Sequence, residues 1–399
     1  GIVAIIGWQA GAGMVGTIPH SKSVNYTLSV LPLFILIGYL AYHAGMTQSL
    51  FDACKKWFGW MPGGLAIATI FAVAGFSAVS GASTAAAAVF ARVAIPEMLK
   101  AGYDRRLAAG VVAAGSTLDS LIPPSAIMVV YAIIVEASIG KLLIAGFIPG
   151  LISALCYSLI VWCWAVWKPE VARPIHGYTW GDRFKSLPGT IPVIGVIIII
   201  FASMVAGWAT PTEAGALGAF VVWIAALLNR MKWAQFNDAL LETAKLTVMI
   251  FAIIWGILIF VRFLGFAGIP EKFSEWVVSL PVHRVFIMIG ILCVYLILGC
   301  FMDAIGMLLL TLPVFFPAVM KLGYDPIWFG IIVVKMCGVC LLTPPIGLAC
   351  FVVAAVRRDI PLADVFRGAL PFLIADFIAI GIFLAWPETV TWLPNKLLD

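Results

Sequence analysis

Two stretches of the chain share an unusual pair of prolines, Leu121-Ile122-Pro123-Pro124-Ser125 and Leu342-Thr343-Pro344-Pro345-Ile346. When Pro123 is aligned with Pro344, the same register aligns Lys100-Ala101-Gly102-Tyr103-Asp104 with Lys321-Leu322-Gly323-Tyr324-Asp325, where four of five residues are identical. Apolar matches arise easily in this chain. A shared Pro-Pro and a shared Gly-Tyr-Asp in one register, without a gap, indicate an internal duplication. The alternative is two similar helix-breaking loops that arose by chance.

The composition places this duplication in a lipid bilayer. Of the 399 residues, 63% are hydrophobic and 11% are charged, whereas a soluble domain carries about 25% charged residues. Soluble enzymes, nucleic-acid-binding proteins and disordered scaffolds are therefore excluded. The strands of a transmembrane barrel alternate with period two, but stretches such as Val196–Ala202 are continuously apolar. The sequence predicts an all-α polytopic membrane protein.

Each repeat contains the same parts in the same order. An apolar segment meets a polar or Gly-rich break, around Ser80 in the first repeat and Asp303 in the second, and a further apolar segment and a Pro-Pro-broken helix follow. The flanks of Ser80 and Asp303 can be re-entrant hairpin arms or full spans. We predict a first repeat at 1–170, with its hairpin at about 62–100 and its broken helix at about 107–135. A connecting loop and linker helix follow at 171–212. The second repeat occupies 213–399, with its hairpin at about 285–320 and its broken helix at about 326–356.

Loop charge favours one orientation. If the segments around Ser80 form a hairpin, Lys55, Lys56, Lys100 and Arg105 share a compartment, which the positive-inside rule identifies as the cytoplasm. The same path places the N-terminus in the cytoplasm and the C-terminus outside. The two hairpins then open to opposite sides, so the repeats are inverted. Replacing either hairpin by two full spans would preserve this parity. Inverted repeats with broken helices are typical of secondary transporters, which bind substrate and ions at the breaks.

The breaks provide oxygen ligands. Proline has no N–H to donate, so carbonyls one turn upstream are freed, and such irregular backbone survives in a membrane only inside protein or beside water. Hydroxyl groups lie close in sequence, at Ser80, Ser83, Thr84, Ser116, Thr117 and Ser125 for the first break and at Thr311 and Thr343 for the second. We predict two pseudo-symmetric sites for a hard cation, with sodium favoured. Proton binding and purely structural breaks are the alternatives.

Charged residues inside apolar segments are functional candidates. Asp303 at the second hairpin tip and Asp119 before the first Pro-Pro could each bind a cation, carry a proton or cap a helix N-terminus. Asp376 could have a function or a structural partner, and Lys335 could neutralise a carboxylate of the protein or of a substrate. Thr210-Pro211-Thr212-Glu213 predicts a helix start with a capping box.

With these residues, the chain resembles the large membrane subunit of the tripartite ATP-independent periplasmic (TRAP) transporters. The stretches that carry the resemblance are Ser80-Gly81-Ala82-Ser83, Ile95–Ser125, Ala209-Thr210-Pro211-Thr212-Glu213-Ala214 and Leu342-Thr343-Pro344-Pro345-Ile346-Gly347. The resemblance implies an elevator-type, sodium-coupled importer of the cytoplasmic (inner) membrane, not an enzyme. It also implies a small membrane (Q) subunit and a periplasmic binding protein that delivers an organic acid, such as a C4-dicarboxylate or a sialic-acid-like sugar acid.

The resemblance further implies two sites for the coupling ion. The first carries over to Ser80, Ser83, Asp119, Ile122 and Pro124, and the second to Gly299, Asp303, Cys340 and Thr343. Candidates for contact with the substrate are Thr84, Ser125, Lys335 and Pro345. The family usually has glycine at the positions of Asp119 and Cys340. A carboxylate at 119 could strengthen sodium binding or introduce proton coupling.

Other functions share part of this pattern. A dicarboxylate/sodium symporter that works without a binding protein would have similar breaks, but Ala209–Ala214 favours the TRAP family. An intramembrane protease could use Ser77 in Gly75-Phe76-Ser77-Ala78 with His43 as the base. Cys337 and Cys340 could be a redox pair or packing residues. A channel could use the half-helices to line a pore.

Overall fold

The computed structural model describes residues 2–23, 26–81, 83–175 and 177–398, and all regular structure in these ranges is helical. The helices of the first half are α1 (Ile2–Ile6), α2 (Trp8–Ser23), α3 (Val30–His43), α4 (Met46–Phe58), α5 (Gly64–Ser80), α6 (Ser83–Lys100), α7 (Arg105–Ser116), α8 (Ala126–Ile134), α9 (Ile139–Ala145), α10 (Phe147–Trp167) and α11 (Trp180–Ser186). Those that follow are α12 (Ile191–Val205), α13 (Pro211–Leu228), α14 (Trp233–Phe266), α15 (Ile269–Ser279), α16 (Arg284–Gly299), α17 (Ala304–Lys321), α18 (Pro326–Cys340), α19 (Leu348–Val356), α20 (Leu362–Ala385) and α21 (Glu388–Leu398). Short 3-10 helices cover Tyr26–Ser29, Thr117–Ser120 and Leu187–Thr190.

Several helices are long and apolar enough to cross a bilayer, which confirms the predicted membrane fold. By length and composition, the described residues contain six such spans: Ile139–Trp167, Trp180–Val205, Pro211–Leu228, Trp233–Phe266, Ala304–Lys321 and Leu362–Ala385. A seventh is obtained if α3 and α4, which are bent by 71° at their junction, count as one. In contrast α5, α16 and α18 have 17, 16 and 15 residues. Each is therefore about 25 Å long at 1.5 Å per residue, short of the bilayer core of about 30 Å.

The helix boundaries repeat in the register found in the sequence, in which Pro123 corresponds to Pro344. In that register the first residues of α6 and α17 coincide, and so do their last residues, Lys100 and Lys321. The first residues of α7 and α18, Arg105 and Pro326, coincide as well.

The equivalent helices follow from this register. The hairpin α5–α6 corresponds to α16–α17, and the bent pair α3–α4 to α14–α15. Each broken helix consists of two helices, α7 with α8 and α18 with α19, on either side of Pro-Pro. This agreement supports the duplication, while the domain boundaries and the opposite orientation of the hairpins stay predictions.

The Gly-Tyr-Asp motif ends one helix and starts the next. Gly102 and Gly323 follow α6 and α17 with φ of +80° and +79°, a left-handed conformation that glycine adopts at helix C-termini without strain. Asp104 then caps α7 by accepting hydrogen bonds from the amides of Arg106 (2.8 Å) and Leu107 (3.3 Å). Asp325 caps α18 in the same way, through the amide of Trp328 at 2.8 Å. The motif is shared because both repeats need the same sharp connection.

The predicted capping box is confirmed at the start of α13. Thr210 Oγ1 accepts from the amide of Glu213 at 3.3 Å, and Glu213 Oε2 accepts from the amide of Thr210 at 2.7 Å. Pro211 is the first residue of the helix. Helix α13 packs against α3 and α12. Gly38 of α3 in turn lies directly on the backbone of Ser80 at the first hairpin tip.

The first broken helix is joined closely to α20. Gly110 and Gly368 bring the backbones of α7 and α20 into direct contact, and no Cβ fits at either position without a shift. At the start of both helices, Asp364 is buried and accepts from Arg105 at 2.7 Å and from Arg106 at 2.9 Å. Small residues that allow close approach are typical of helix packing in membranes.

A methyl group at this crossing is expected to destabilise the fold. Gly110→Ala places a Cβ against the backbone of Gly368, and overpacking of this kind costs about 1–3 kcal/mol. We expect a lower midpoint of thermal unfolding for the detergent-purified variant, followed by tryptophan fluorescence. Gly290→Ala is the matched control, because a Cβ at this helical glycine of α16 meets nothing within 4 Å. Equal midpoints for the two variants would contradict the tight crossing.

Candidate functional site

A cavity of about 360 Å³ lies where the two hairpin tips meet the two broken helices. The tips contribute Gly81, Ser83 and Thr84 from the first hairpin and Asp303, Ala304 and Ile305 from the second. The broken helices contribute Asp119, Ala126, Ile127, Leu341 and Leu348. One face of α14 closes the remaining side with Leu246, Met249, Ile250 and Ile253. Of the residues predicted for the two cation sites, Ser83 and Asp119 of the first and Asp303 of the second line this single cavity.

Four helices begin at the wall of this cavity. Ser83, Ala126, Ala304 and Leu348 all line it, and each is the first residue of its helix, respectively α6, α8, α17 and α19. The first N–H groups of a helix have no acceptor within the helix, and they carry the positive end of the helix dipole. Helix N-termini are consequently favourable positions for anions. Their convergence makes the cavity suitable for a ligand with negative charge.

At the first tip, a hydrogen bond joins the hairpin to the broken helix. Ser83 Oγ donates to Asp119 Oδ2 at 3.1 Å, and both side chains are buried. Gly81, with φ +58°, brings the tip close to the first break, because a Cβ there would lie 3.2 Å from the carbonyl oxygen of Pro124. The hairpin tip, Asp119 and Pro124 are thus neighbours, as the predicted first cation site requires.

Two further buried hydroxyls of this region have no hydrogen-bond partner among the residues that the structure describes. Ser80 and Ser125 are 3% and 0% exposed, and within the described ranges neither Oγ has a hydrogen-bond partner. Buried polar groups nearly always have one, so an orphaned hydroxyl calls for a ligand, an ion or a water molecule. Ile122 faces away, toward a separate apolar cavity beside α10.

At the second tip, Asp303 caps α17. Its Oδ2 accepts from the amides of Ile305 and Gly306, both at 3.1 Å, and the residue also lines the cavity. Helix capping was one of the roles predicted for this aspartate. Gly299, which ends α16, lies directly against the side chain of Cys340. Three of the four residues predicted for the second cation site therefore belong to the contact region between this tip and α18.

The second break is partly satisfied by its own backbone. Leu341 O, which would pair with residue 345 in a continuous helix, accepts instead from the amide of Ala349 at 3.0 Å. Thr343 Oγ1 donates to Val339 O at 2.8 Å. Neither Thr343 nor the exposed Pro345 is among the residues that line the cavity.

Lys335 does not reach the cavity. Its ammonium group is buried and donates to Asp376 Oδ1 at 2.5 Å, and Tyr157 donates to the same oxygen at 2.6 Å. Of the two roles predicted for Lys335, neutralising a carboxylate of the protein is therefore the one that the structure shows.

Of the substrate candidates, Thr84 lines the cavity, and the fully buried Ser125 directly precedes the lining residue Ala126.

The catalytic alternatives find no support in these contacts. Ser77 Oγ has no hydrogen-bond partner among the residues that the structure describes. His43 Nε2 lies 3.2 Å from Glu242 Oε2 on α14. Cys337 and Cys340 are both free thiols buried in α18. Cys337 donates weakly to Ala304 O at 3.5 Å, and Cys340 to Tyr295 O at 3.6 Å, as packing residues would.

The aliphatic face of α14 is the part of the site that sequence reasoning missed. Its four lining residues occur at spacings of three, one and three, which places them on one side of the helix. In a soluble helix such a stripe would stand out against polar neighbours. Here three of the four residues between them, Val248, Phe251 and Ala252, are apolar as well and only Thr247 is polar, so the sequence carries little contrast.

An all-helical membrane fold with two helical hairpins and two Pro-broken helices around one cavity defines a secondary transporter. The family model described as "Tripartite ATP-independent periplasmic transporter, DctM component" matches residues 14–389, and the chain belongs to this family. The predicted resemblance is thereby confirmed. The protein is a transporter permease and not an enzyme, so the intramembrane-protease alternative is wrong.

Individual proteins show the same relationship. The chain is 37% identical over 379 residues to the C4-dicarboxylate TRAP transporter large permease protein DctM of Pseudomonas aeruginosa, covering 94% of this chain and 88% of that protein. It is 30% identical over 376 residues to the sialic acid TRAP transporter large permease protein SiaM of Vibrio cholerae, with coverages of 94% and 87%. The crystal structure of the Alcanivorax borkumensis YdaH transporter is similar in fold alone, with a TM-score of 0.63, 14% identity and coverages of 90% and 86%.

The contact between Gly299 and Cys340 can be tested by a double-mutant cycle. Gly299→Ala adds a methyl group where the Cys340 side chain lies, and we expect a loss of about 1–3 kcal/mol in the free energy of unfolding. In a chain that also carries Cys340→Gly, the same substitution should cost much less, because the opposing side chain is gone. The measurement is the thermal midpoint of all four proteins. An equal effect of Gly299→Ala in both backgrounds would refute the contact.

Proposed function

We propose that the chain is the sodium-coupled permease of a TRAP transporter that imports an organic acid anion. In this proposal it works with a small membrane (Q) subunit and a periplasmic binding protein that delivers the substrate. It lies in the cytoplasmic (inner) membrane, with the N-terminus in the cytoplasm and the C-terminus in the periplasm. The family, and relatives named for a C4-dicarboxylate and for sialic acid, support an organic acid as the class of substrate.

One observation carries the proposal: helix N-termini and carboxylates line the same cavity. The N-termini of α6, α8 and α19 favour an anion, whereas that of α17 is already capped by Asp303, and the charges of Asp119 and Asp303 repel one. The described lining residues include no lysine, arginine or histidine to offset that repulsion. A cation bound at each aspartate would offset it, so ion and substrate would bind better together than alone. Such mutual dependence is what coupled transport requires.

The donors near the breaks fit sodium. They are carboxylates, hydroxyls and carbonyls, which are the ligands that hard cations prefer. The orphaned hydroxyls of Ser80 and Ser125 flank the Ser83–Asp119 pair along the chain and could complete a coordination shell. In the described part of the chain no three His, Cys, Asp or Glu side chains come together as a metal site.

The elevator mechanism would use the contrast between the two sides of the cavity. The hairpin tips and broken helices hold the polar groups, while α14 offers a smooth aliphatic wall. A body that carries ions and substrate could slide along such a wall without breaking hydrogen bonds. Two sodium ions crossing a potential of ~100 mV would supply about 4.6 kcal/mol, of which a monoanion would take back about half.

Removal of a predicted ligand should weaken sodium dependence. In Ser83→Ala and Thr343→Ala we expect the sodium concentration for half-maximal uptake in proteoliposomes to rise at least about 10-fold, because hydrogen-bond-like contacts to a charge are worth about 1.5–3 kcal/mol and every 1.4 kcal/mol is tenfold. Ser158→Ala is the matched control. Its hydroxyl also bonds a helix carbonyl, Ala154 O at 2.8 Å, but in α10 away from the cavity.

Binding alone can be measured first, by thermal unfolding in sodium chloride and in choline chloride at equal ionic strength. A ligand at ~100 times its dissociation constant stabilises by about 2.7 kcal/mol, and we expect this shift to be lost in Asp303→Ala. If uptake is saturable but indifferent to sodium, and the two salts give the same midpoint, sodium coupling is wrong. Proton coupling through Asp119 or Asp303 would then be examined by the pH dependence of uptake.

A further inference from the structure

A hydrogen-bonded chain of four buried side chains runs through the protein beside the cavity. Lys335 Nζ donates to Asp376 Oδ1 at 2.5 Å, Tyr157 donates to the same oxygen at 2.6 Å, and Thr117 Oγ1 lies 3.1 Å from the Tyr157 hydroxyl. Their exposed fractions are between 0% and 3%. They come from α18, α20, α10 and the 3-10 turn Thr117–Ser120, and none of them lines the cavity.

The direction of the hydrogen bonds follows from the number of hydrogens. A tyrosine hydroxyl has one hydrogen, and Tyr157 gives it to the Asp376 carboxylate. The contact with Thr117 then needs the threonine hydrogen, which is also directed at Ala114 O, 2.8 Å away. Thr117 therefore shares its hydrogen between its own helix and Tyr157. Because the Tyr157 hydrogen points to Asp376, the Tyr157 oxygen is left to accept from Thr117.

The ion pair serves to hold Tyr157 in place. Charges deep in a membrane protein are costly and are kept where they have a partner or a function. The Lys335 ammonium also lies 5.2 Å from the centre of the Tyr157 ring, and Phe372 packs edge-on against that ring at 5.4 Å. The Lys335 ammonium, the Asp376 carboxylate and the Phe372 ring together restrict the Tyr157 side chain to the position in which its hydroxyl contacts Thr117.

The Thr117 turn is the element that presents Asp119 to the first hairpin tip. Thr117 and Asp119 belong to the same short 3-10 helix, and Asp119 accepts from Ser83. Helix α18 also contacts this turn directly, through Gly338. A Cβ on Gly338 would lie 3.0 Å from Ser120 Oγ and 3.4 Å from Thr117 O. The turn is thus held both by the hydrogen-bonded chain and by the packing of α18.

We propose that Lys335, Asp376 and Tyr157 are positioning residues that hold the Thr117 turn, and with it Asp119, in the geometry of the first cation site. The identity of the ion rests on the proposed function, whereas the positioning of the turn does not. The role is asymmetric. At the position of the second repeat that corresponds to Thr117, Gly338 has no side chain that could make such a bond.

Hydrogen exchange tests the positioning itself. In Tyr157→Phe we expect faster amide exchange in peptides covering 116–126 and unchanged exchange in peptides covering 337–348. Tyr131→Phe is the matched control, since Tyr131 is equally buried and its hydroxyl donates to Pro326 O at 2.7 Å, away from both breaks. Wild-type exchange at 116–126 in Tyr157→Phe would overturn the proposal, whatever the transport assay shows.

Uptake measurements then separate positioning from a general loss of structure. For Tyr157→Phe and Thr117→Val, the half-saturating sodium concentration should rise roughly 10-fold, the scale of losses seen when partners of metal ligands are removed, with the maximal rate kept within about 2-fold. Thr117→Ser retains the hydroxyl and should behave as wild type. A fall in maximal rate with unchanged sodium affinity would refute the role. A wild-type protein that transports without sodium would refute the proposed function, while the exchange result would still decide the positioning.

The ion pair is tested by removing both charges together. Lys335→Met or Asp376→Leu alone strands a buried charge and is expected to prevent folding, whereas the double variant should fold. Tyr157 then lacks its acceptor, so the double variant should show the same faster exchange at 116–126 and the same weakened sodium affinity as Tyr157→Phe. A folded double variant with wild-type exchange and wild-type sodium affinity would show that the pair serves packing only.

Discussion

An unpaired backbone polar group in hydrocarbon costs several kilocalories per mole, and this cost determines where the chain can be irregular. Both hairpin tips and both Pro-Pro breaks interrupt helices within the apolar part of the chain. The structure gathers all four around one cavity, where protein groups and ligands can satisfy them. Helices α6, α8, α17 and α19 consequently begin at the same place. Gathering the breaks away from lipid thus also brings together the helix N-termini, which favour anions.

The same constraint divides the buried carboxylates into two kinds. Asp364 and Asp376 are paired with cations of the protein, Arg105 with Arg106 in the first case and Lys335 in the second, and they join helices. Asp119 and Asp303 line the cavity, where Asp119 accepts a hydrogen bond from the Ser83 hydroxyl and Asp303 accepts from the backbone amides that follow it. Carboxylates of the first kind are neutralised by cations of the protein, whereas in the proposed function those of the second kind bind a cation from solution.

Residues that fix the local backbone made much of the fold predictable. Pro-Pro, the left-handed glycines and the capping aspartates dictate where helices stop and start, so the duplication, the breaks and the capping box could be read from the sequence. Contacts between distant residues could not. Tyr157 and Asp376 are 219 positions apart, and no local pattern relates them. The cavity-lining face of α14 could not be predicted either, because an aliphatic stripe on a largely apolar helix does not differ clearly from the residues around it. Lys335 and Asp376 are 41 positions apart, so their pairing could not be predicted from the sequence either.

The duplication preserves the backbone of the two breaks but not their chemistry. In the shared register, Asp119 corresponds to Cys340 and Asp303 to Ala82, so each repeat brings one carboxylate to its hairpin tip from a different element. Asp303 belongs to its own tip and caps the helix that follows. Asp119 belongs to the broken helix and reaches the first tip through Ser83. The proposed first cation site is therefore complete only while the hairpin and the broken helix remain in contact, and it depends on the residues that we propose to hold the Thr117 turn.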